Sequence, residues 1–111
     1  MSVTDEFTQL RKGLLELAVL QIVSKHKVYA ADILRQLAIT PFITGEGTLY
    51  PLLSRLKRQK LLSYDWVESE SGPPRKYYAL TKTGQERLDN LMSYWQSLHT
   101  TLTGLGKGAK K

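Results

Sequence analysis

The sequence predicts a mainly helical fold with one small β-hairpin, and three observations lead there. Apolar residues recur with a period near 3.6 in three early segments, the period drops to 2 around residues 62–67, and it returns to 3.6 over a long final segment. At 111 residues the chain can bury one modest core and no second one.

In the first segment Phe7, Leu10, Leu14, Leu17, Ala18 and Leu20 stand at helical spacing, while Val19, Ile22 and Val23 add apolar character to other faces. This spacing predicts a helix over 7–23 that needs cover from more than one direction, closed by the polar stretch 24–27. A shorter helix is expected over 29–37, with Ile33, Leu34 and Leu37 inward and Asp32, Arg35 and Gln36 in water. Thr40-Pro41-Phe42-Ile43-Thr44-Gly45 reads as the turn that follows, because proline and glycine both interrupt helices. The third helix carries Leu49, Leu52, Leu53 and Leu56 as an i, i+3, i+4, i+7 stripe. Thr44 or Thr48 could be its N-cap. Thr44 is favoured, with a locally strained turn at Pro51, since proline sits comfortably only in a first turn.

Next, Leu62, Tyr64 and Trp66 alternate with Ser63, Asp65 and Val67, as in a half-exposed strand. Ser69-Glu70-Ser71-Gly72-Pro73-Pro74 is loop-like in composition, and Lys76-Tyr77-Tyr78-Ala79-Leu80 is the returning strand, so a hairpin with a tip several residues long is expected. Thr81 or Thr83 caps the last helix, Thr83 and Glu86 having the spacing of a capping box. The glycines and lysines of residues 104–111 should fray. Three compact helices, a hairpin and a long helix describe a winged helix-turn-helix.

Composition narrows the function. The hydrophobic fraction of 41% and the charged fraction of 23% are ordinary for a folded soluble protein. The longest apolar run, residues 14–23, is broken by Glu16 and Gln21 and is too short to span a bilayer. Asp5 and Glu6 precede it where a secretory signal would be positively charged, so the cytoplasm is the expected address. Without cysteine there is neither a disulfide nor a thiolate metal site. His26 and His99 are the only histidines, at no metal-ligand spacing, and both are expected on the surface near helix ends. The carboxylates are dispersed, and neither a phosphate loop nor a nucleophile motif is visible, which leaves an enzyme, a cofactor or a metal without support. A net charge of +6 and a pI near 9.7 favour a polyanionic partner, most often nucleic acid.

The cations are concentrated in two places. On the third helix Arg55, Lys57, Arg58 and the terminal Lys60 accompany Thr48, Tyr50 and Ser54, and the i, i+3 spacing of Arg55 and Arg58 predicts a shared face opposite the leucine stripe. A helix with one apolar and one basic, hydrogen-bonding face suits a DNA major groove. A solvated surface helix is the plainer alternative, which the helix's place just before a hairpin disfavours. In the hairpin Arg75 and Lys76 follow Gly72-Pro73-Pro74, whose prolines stiffen the backbone and hold the cations in place for phosphate or minor-groove contact.

The final helix spaces Leu88, Leu91, Trp95, Leu98, Leu102 and Leu105 by 3, 4, 3, 4, 3, the seam of a coiled coil. About two and a half heptads are too few for an independent coiled coil. Packing on a second copy, together with Leu10 and Leu14 of the first helix, is the expected use, and folding back on its own domain is the alternative. Tyr94 and Trp95 are adjacent, and near a two-fold axis Trp95 could meet its symmetry mate. The pair either forms interface core or offers a flat slot for a planar aromatic ligand.

The string Gly47-Thr48-Leu49-Tyr50-Pro51-Leu52-Leu53-Ser54-Arg55-Leu56, then Pro73-Pro74-Arg75-Lys76-Tyr77-Tyr78, then Leu80-Thr81 and Gly84, resembles the PadR family of bacterial transcriptional regulators. Lys12-Gly13-Leu14-Leu15-Glu16-Leu17-Ala18-Val19-Leu20 is similar to the family's first helix, so the match spans nearly the whole chain in order. The resemblance implies a dimeric winged helix, usually a repressor, on pseudo-palindromic double-stranded DNA operators, and many relatives leave DNA when they bind phenolic acids or aromatic drugs. The short chain is similar to a compact subfamily that includes a multidrug-responsive regulator. In that relative a tryptophan of the last helix lines a central drug pocket, and Trp95 falls at a similar place. There are departures. Relatives commonly carry Tyr-Gly-Tyr-Glu where this chain has Tyr29-Ala30-Ala31-Asp32, which keeps Tyr29 toward DNA and drops a second tyrosine. They often have acidic residues where this chain has Lys57-Arg58-Gln59-Lys60, so phosphate contacts should be stronger here.

The expected organisation is a winged helix-turn-helix DNA-binding unit over 1–80, a dimerisation helix over 81–105 and a disordered basic tail over 106–111. Two rival functions stay open: a small-molecule sensor in which DNA binding is secondary, and a winged helix used only for protein contact.

Overall fold

The computed structural model describes residues 3–108, and side chains from Thr8 onward. Its elements are α1 (Val3–Lys25), α2 (Ala30–Ala38), α3 (Glu46–Arg58), β1 (Leu62–Ser69), β2 (Gly72–Leu80) and α4 (Lys82–Gly106). This is the mainly helical fold with a two-stranded antiparallel hairpin that the sequence predicts. The expected role of Phe7, and the tail's residues 109–111, lie outside what is described; within the tail Gly104 and Gly106 are still helical.

The core is assembled from one stripe of every helix. Leu15, Val19, Leu20 and Val23 of α1 meet Ile33 and Leu37 of α2 and Leu49, Leu52, Leu53 and Leu56 of α3, closed by Leu61, Leu62, Tyr78 and Leu88. Residue 28 carries the sheet inward. Val28 bridges Tyr78 with bonds in both directions (3.1 and 2.7 Å), so α2 starts from the edge of the hairpin.

The start of α3 differs from expectation. Gly45, not Thr44, is the N-cap, and its carbonyl accepts from the Thr48 and Leu49 N–H groups (3.2 and 3.0 Å). Glycine is an acceptable cap, and this start puts Glu46 in the first turn, where a carboxylate complements the helix dipole. Pro51 then lies inside the helix, its missing donor leaving the Gly47 carbonyl on a face where both residues are exposed and water can reach it.

The end of α3 is built as a Schellman motif. The Leu61 N–H reaches the Leu56 carbonyl (3.0 Å), the Lys60 N–H reaches that of Lys57 (2.9 Å), and Leu61 and Leu56 are both buried. The left-handed position usually given to glycine is filled here by Lys60 at φ 64°.

The hairpin tip is shorter than expected. Ser69 pairs with Gly72, so Glu70 and Ser71 alone form the turn, and Pro73 and Pro74 fall within β2. The register slips between Val67 and Ser69, which sets the two prolines against Glu68 in a bulge. Proline cannot donate to a ladder, and a bulge at the edge of a two-stranded sheet is where that matters least.

At the foot of the hairpin Thr81, not Thr83, caps α4, and the Thr83–Glu86 capping box does not form. The Thr81 hydroxyl accepts from the Gly84 N–H (2.9 Å) and donates to the Lys60 carbonyl (2.7 Å), while the Thr81 N–H binds the Leu61 carbonyl (3.1 Å). Leu80 still pairs with Leu62, so the helix begins at once, and Thr81, bonded to the Lys60 and Leu61 carbonyls, joins the three elements.

Candidate DNA-binding face

On α3 the leucine stripe faces the core, and Tyr50, Ser54, Lys57 and Arg58 are exposed on the other side. The N-terminus of α2 and strand β2 flank this outer face. Together they form a groove of about 440 Å³ lined by Tyr29, Tyr50, Ser54, Arg75 and Lys76. Five residues expected to contact DNA, from three separate elements, therefore converge on one groove.

The wing cations rest on aromatic rings. The Arg75 guanidinium lies 4.6 Å from the centre of the Tyr29 ring, which is 5.2 Å from Tyr77. On the other face of the hairpin the Lys76 ammonium lies 4.5 Å from Tyr64 and 5.5 Å from Trp66, and Lys57 of α3 approaches the same Tyr64 ring at 5.5 Å. Such contacts at exposed sites contribute about 0.5–1 kcal/mol, less than the roughly 1.5–3 kcal/mol of a hydrogen bond to a charged group. The rings aim the cations without sequestering them from a phosphate. Sequence reading missed Tyr64, Trp66 and Tyr77 in this role. The signal was present in the alternation, since Trp66 pairs with Lys76 and Tyr64 with Tyr78 once the register is known.

Tyr29 is the N-cap residue of α2 and makes no side-chain cap bond. Its hydroxyl instead accepts from Arg35 (3.5 Å), a contact that raises the Arg35 pKa above its ordinary value, and Arg35 also pairs with Asp32. Burial pushes the Tyr78 phenol up, and the neighbouring Tyr50 and Tyr64 phenols add to the shift, so Tyr78 stays a neutral donor.

The second flank of α3 holds Thr48, Pro51, Arg55 and Arg58 beside Lys12 and Glu16 of α1. Here one expectation is refined. Arg55 and Arg58 line this flank together but not opposite the stripe on equal terms: Arg58 is exposed, whereas Arg55 is half-buried at the edge toward α1, and its Nη1 donates to Glu16 Oε1 at 3.3 Å. The 100° step per residue places Arg55 next to the stripe rather than opposite it. The other Glu16 oxygen accepts from Arg87 of α4 at 3.2 Å. Lys60, in its left-handed turn, is exposed between α3 and the hairpin.

A family model described as the transcriptional regulator PadR-like family matches residues 19–90. The chain belongs to the PadR-like family. Similar solved structures agree: a PadR-like transcription factor from Bacteroides fragilis is 46% identical, covering 91% of this chain and 98% of that one, with a TM-score of 0.78. A PadR-like transcriptional regulator from Bacillus cereus is 37% identical over 90% and 98%, with a TM-score of 0.81. One from Eggerthella lenta is 31% identical over 96% and 93%, with a TM-score of 0.86. This PadR-like protein is thus a winged-helix, DNA-binding transcriptional regulator and not an enzyme. Among its described residues no helix is long and apolar enough to cross a membrane.

The seam of α4 divides in two. Leu88, expected at a dimer interface, is buried in the protomer's own core because the first turns of α4 fold onto α1 and the hairpin foot, and Leu91 is half-buried against the same core. Leu98, Leu102 and Leu105 are exposed, as is Leu10 of α1. Between α1 and α4 lies a cleft of about 330 Å³ lined by Leu14, Leu17, Leu91, Tyr94, Trp95 and Leu98, with Glu16 and Arg87 at its polar end. Trp95 is half-buried, and its ring lies 5.7 Å from that of His99. His99 is therefore exposed but one turn beyond Trp95 within α4, not at a helix end, whereas His26 does follow the end of α1.

Proposed function

We propose that this regulator is a cytoplasmic homodimeric repressor that sits on a pseudo-palindromic operator and leaves it when a planar aromatic molecule occupies the α1–α4 cleft. The observation that carries the DNA-bound geometry is the convergence of Tyr29, Tyr50, Ser54, Arg75 and Lys76 on one groove. In this reading α3 enters the major groove with Thr48, Tyr50 and Ser54 toward base edges, while Lys57, Arg58, Lys60, Arg75 and Lys76 hold phosphates or reach the minor groove. Arg55, expected to join them, is the exception considered below. Support for the dimer is the unburied half of the α4 seam, with Leu102 66% and Leu105 72% exposed, continued by Leu10. The winged unit then covers residues 1–80 and α4 serves as the dimerisation helix.

Selection from a random DNA library with the purified protein tests this reading. The expected winner is an inverted repeat whose half-sites lie one helical turn, about 34 Å, apart. A single half-site would remove the dimer. Failure to enrich any site with folded protein would favour a protein-contact or sensor role.

The ligand part rests on the cleft, whose apolar walls and single tryptophan suit an aromatic guest. Planar aromatics are expected to quench Trp95 fluorescence and loosen DNA binding, and Trp95→Ala should weaken their affinity at least tenfold. Unchanged affinity in that variant would place the ligand elsewhere.

A further inference from the structure

Glu16 stands at a junction. Among the described residues it is the one carboxylate beside four cations, Lys12, Arg55, Arg58 and Arg87, that line the two clefts on either side of α1. Its side chain is 18% exposed, and its two oxygens are divided between Arg55 of the recognition helix and Arg87 of α4. The wing offers a contrast, since its cations rest on aromatic rings and not on a carboxylate, a weaker contact to give up for a phosphate. Arg55 is held by an ion pair whose carboxylate is largely withdrawn from water, so the attraction is screened less there although the guanidinium itself is 44% exposed. Arg87 holds the other oxygen of that carboxylate at 3.2 Å, which restrains it from following Arg55 toward solvent.

We propose that Glu16 is a positioning residue for DNA recognition: by holding the Arg55 guanidinium against α1, it keeps one cation of α3 off the phosphate backbone and limits sequence-independent binding. The inference rests on the DNA-binding reading above. It matters in a chain of net charge +6, because every additional phosphate contact strengthens binding to any DNA equally and erodes discrimination between sites. Arg55 is thus reserved for fixing α3 against α1 and α4, and the phosphate contacts fall to the wing and to the exposed lysines and arginine of α3.

The test uses the full-length protein and a mixed-sequence duplex of about 30 base pairs, roughly three helical turns, titrated with salt by fluorescence anisotropy. Each phosphate contact contributes about 0.9 to the slope of log K against log salt. Arg55→Gln in the otherwise unchanged chain is expected to leave that slope as it is. Glu16→Gln should steepen it by about 0.9 per protomer, about 1.8 for a dimer, and the double variant Glu16→Gln/Arg55→Gln should return it to the starting value. A purely structural role for Glu16 would not produce a gain that Arg55 alone controls. The proposal is overturned if Arg55→Gln flattens the slope, which would put Arg55 on a phosphate already. It is equally overturned if Glu16→Gln has no effect, or if its gain survives in the double variant, which keeps the parent's net charge, and so comes from a cation other than Arg55, such as Arg87. Should Glu16→Gln fail to fold, the Arg55→Gln slope still decides. Absence of salt-dependent binding by the unaltered protein would instead sink the DNA-binding reading itself.

Discussion

Replacing Arg75 and Lys76 together by glutamine is expected to weaken operator binding by roughly one hundredfold per half-site and to flatten its salt dependence by about 1.8 per protomer, two contacts at about 0.9 each, hence about 3.6 for a dimer. The magnitude follows from geometry. Both cations lie on rings without an ion pair in the way, Arg75 on the half-buried Tyr29 and Lys76 on the half-buried Tyr64 and the exposed Trp66, so binding a phosphate sacrifices only the weak ring contact. Two hydrogen bonds to charged groups at about 1.5–3 kcal/mol each, less about 0.5–1 kcal/mol for each ring contact, leave a net of about 3 kcal/mol. The Pro73–Pro74 bulge just before them restrains the backbone in the free protein, so little ordering cost offsets that gain. Binding isotherms at several salt concentrations measure both numbers. A variant that binds more weakly with an unchanged slope would mean that the wing acts by shape and not by charge.

Gly84→Ala should be the most damaging single-methyl change in the chain. A Cβ at this position would lie 2.1 Å from the Leu61 carbonyl oxygen, 2.8 Å from Leu80 Cδ1 and 3.0 Å from the Leu61 carbonyl carbon. The Leu80 side chain can turn aside, but Leu61 cannot: its N–H is bound in the Schellman motif and its carbonyl accepts from Thr81. The first turn of α4 would have to lift away from the end of α3, breaking the Thr81 cap and uncovering Leu88. Overpacking of this kind costs about 3 kcal/mol, far above the gain of about 1 kcal/mol that alanine brings to a helix interior. Gly104→Ala in the same helix meets nothing within 4 Å and serves as the control, with an unchanged or slightly raised melting temperature. Thermal denaturation of the two variants side by side checks the prediction, and a Gly84→Ala protein that melts with the parent would show that α4 is not seated on Leu61.

The two positions illustrate what is legible in a chain and what is not. The period-3.6 stripes of α2 and α3, the period-2 alternation of β1 and the clustering of Lys57, Arg58, Arg75 and Lys76 are properties of neighbours in sequence, and they were sufficient for the order of elements, the winged architecture and the basic surface. Boundaries were less legible. Gly45 caps α3, Thr81 caps α4 and the diproline lies inside β2, because each choice is made by a partner elsewhere: the helix dipole for Glu46, the end of α3 for Thr81, the register of β1 for the prolines. The fate of individual charges was not legible at all. Arg55 and Arg58 are three residues apart and chemically alike, yet Arg58 is open to solvent and Arg55 is tied to Glu16, 39 residues away. Arg87, 71 residues from Glu16, completes that junction. By itself the sequence determined which segments form helices and strands and that the surface is basic, because those outcomes depend on local spacing and composition. Only the tertiary structure decided which cations are free for DNA and which half of the α4 seam is left uncovered, because an ion pair or a buried leucine depends on what a distant element brings within a few ångströms.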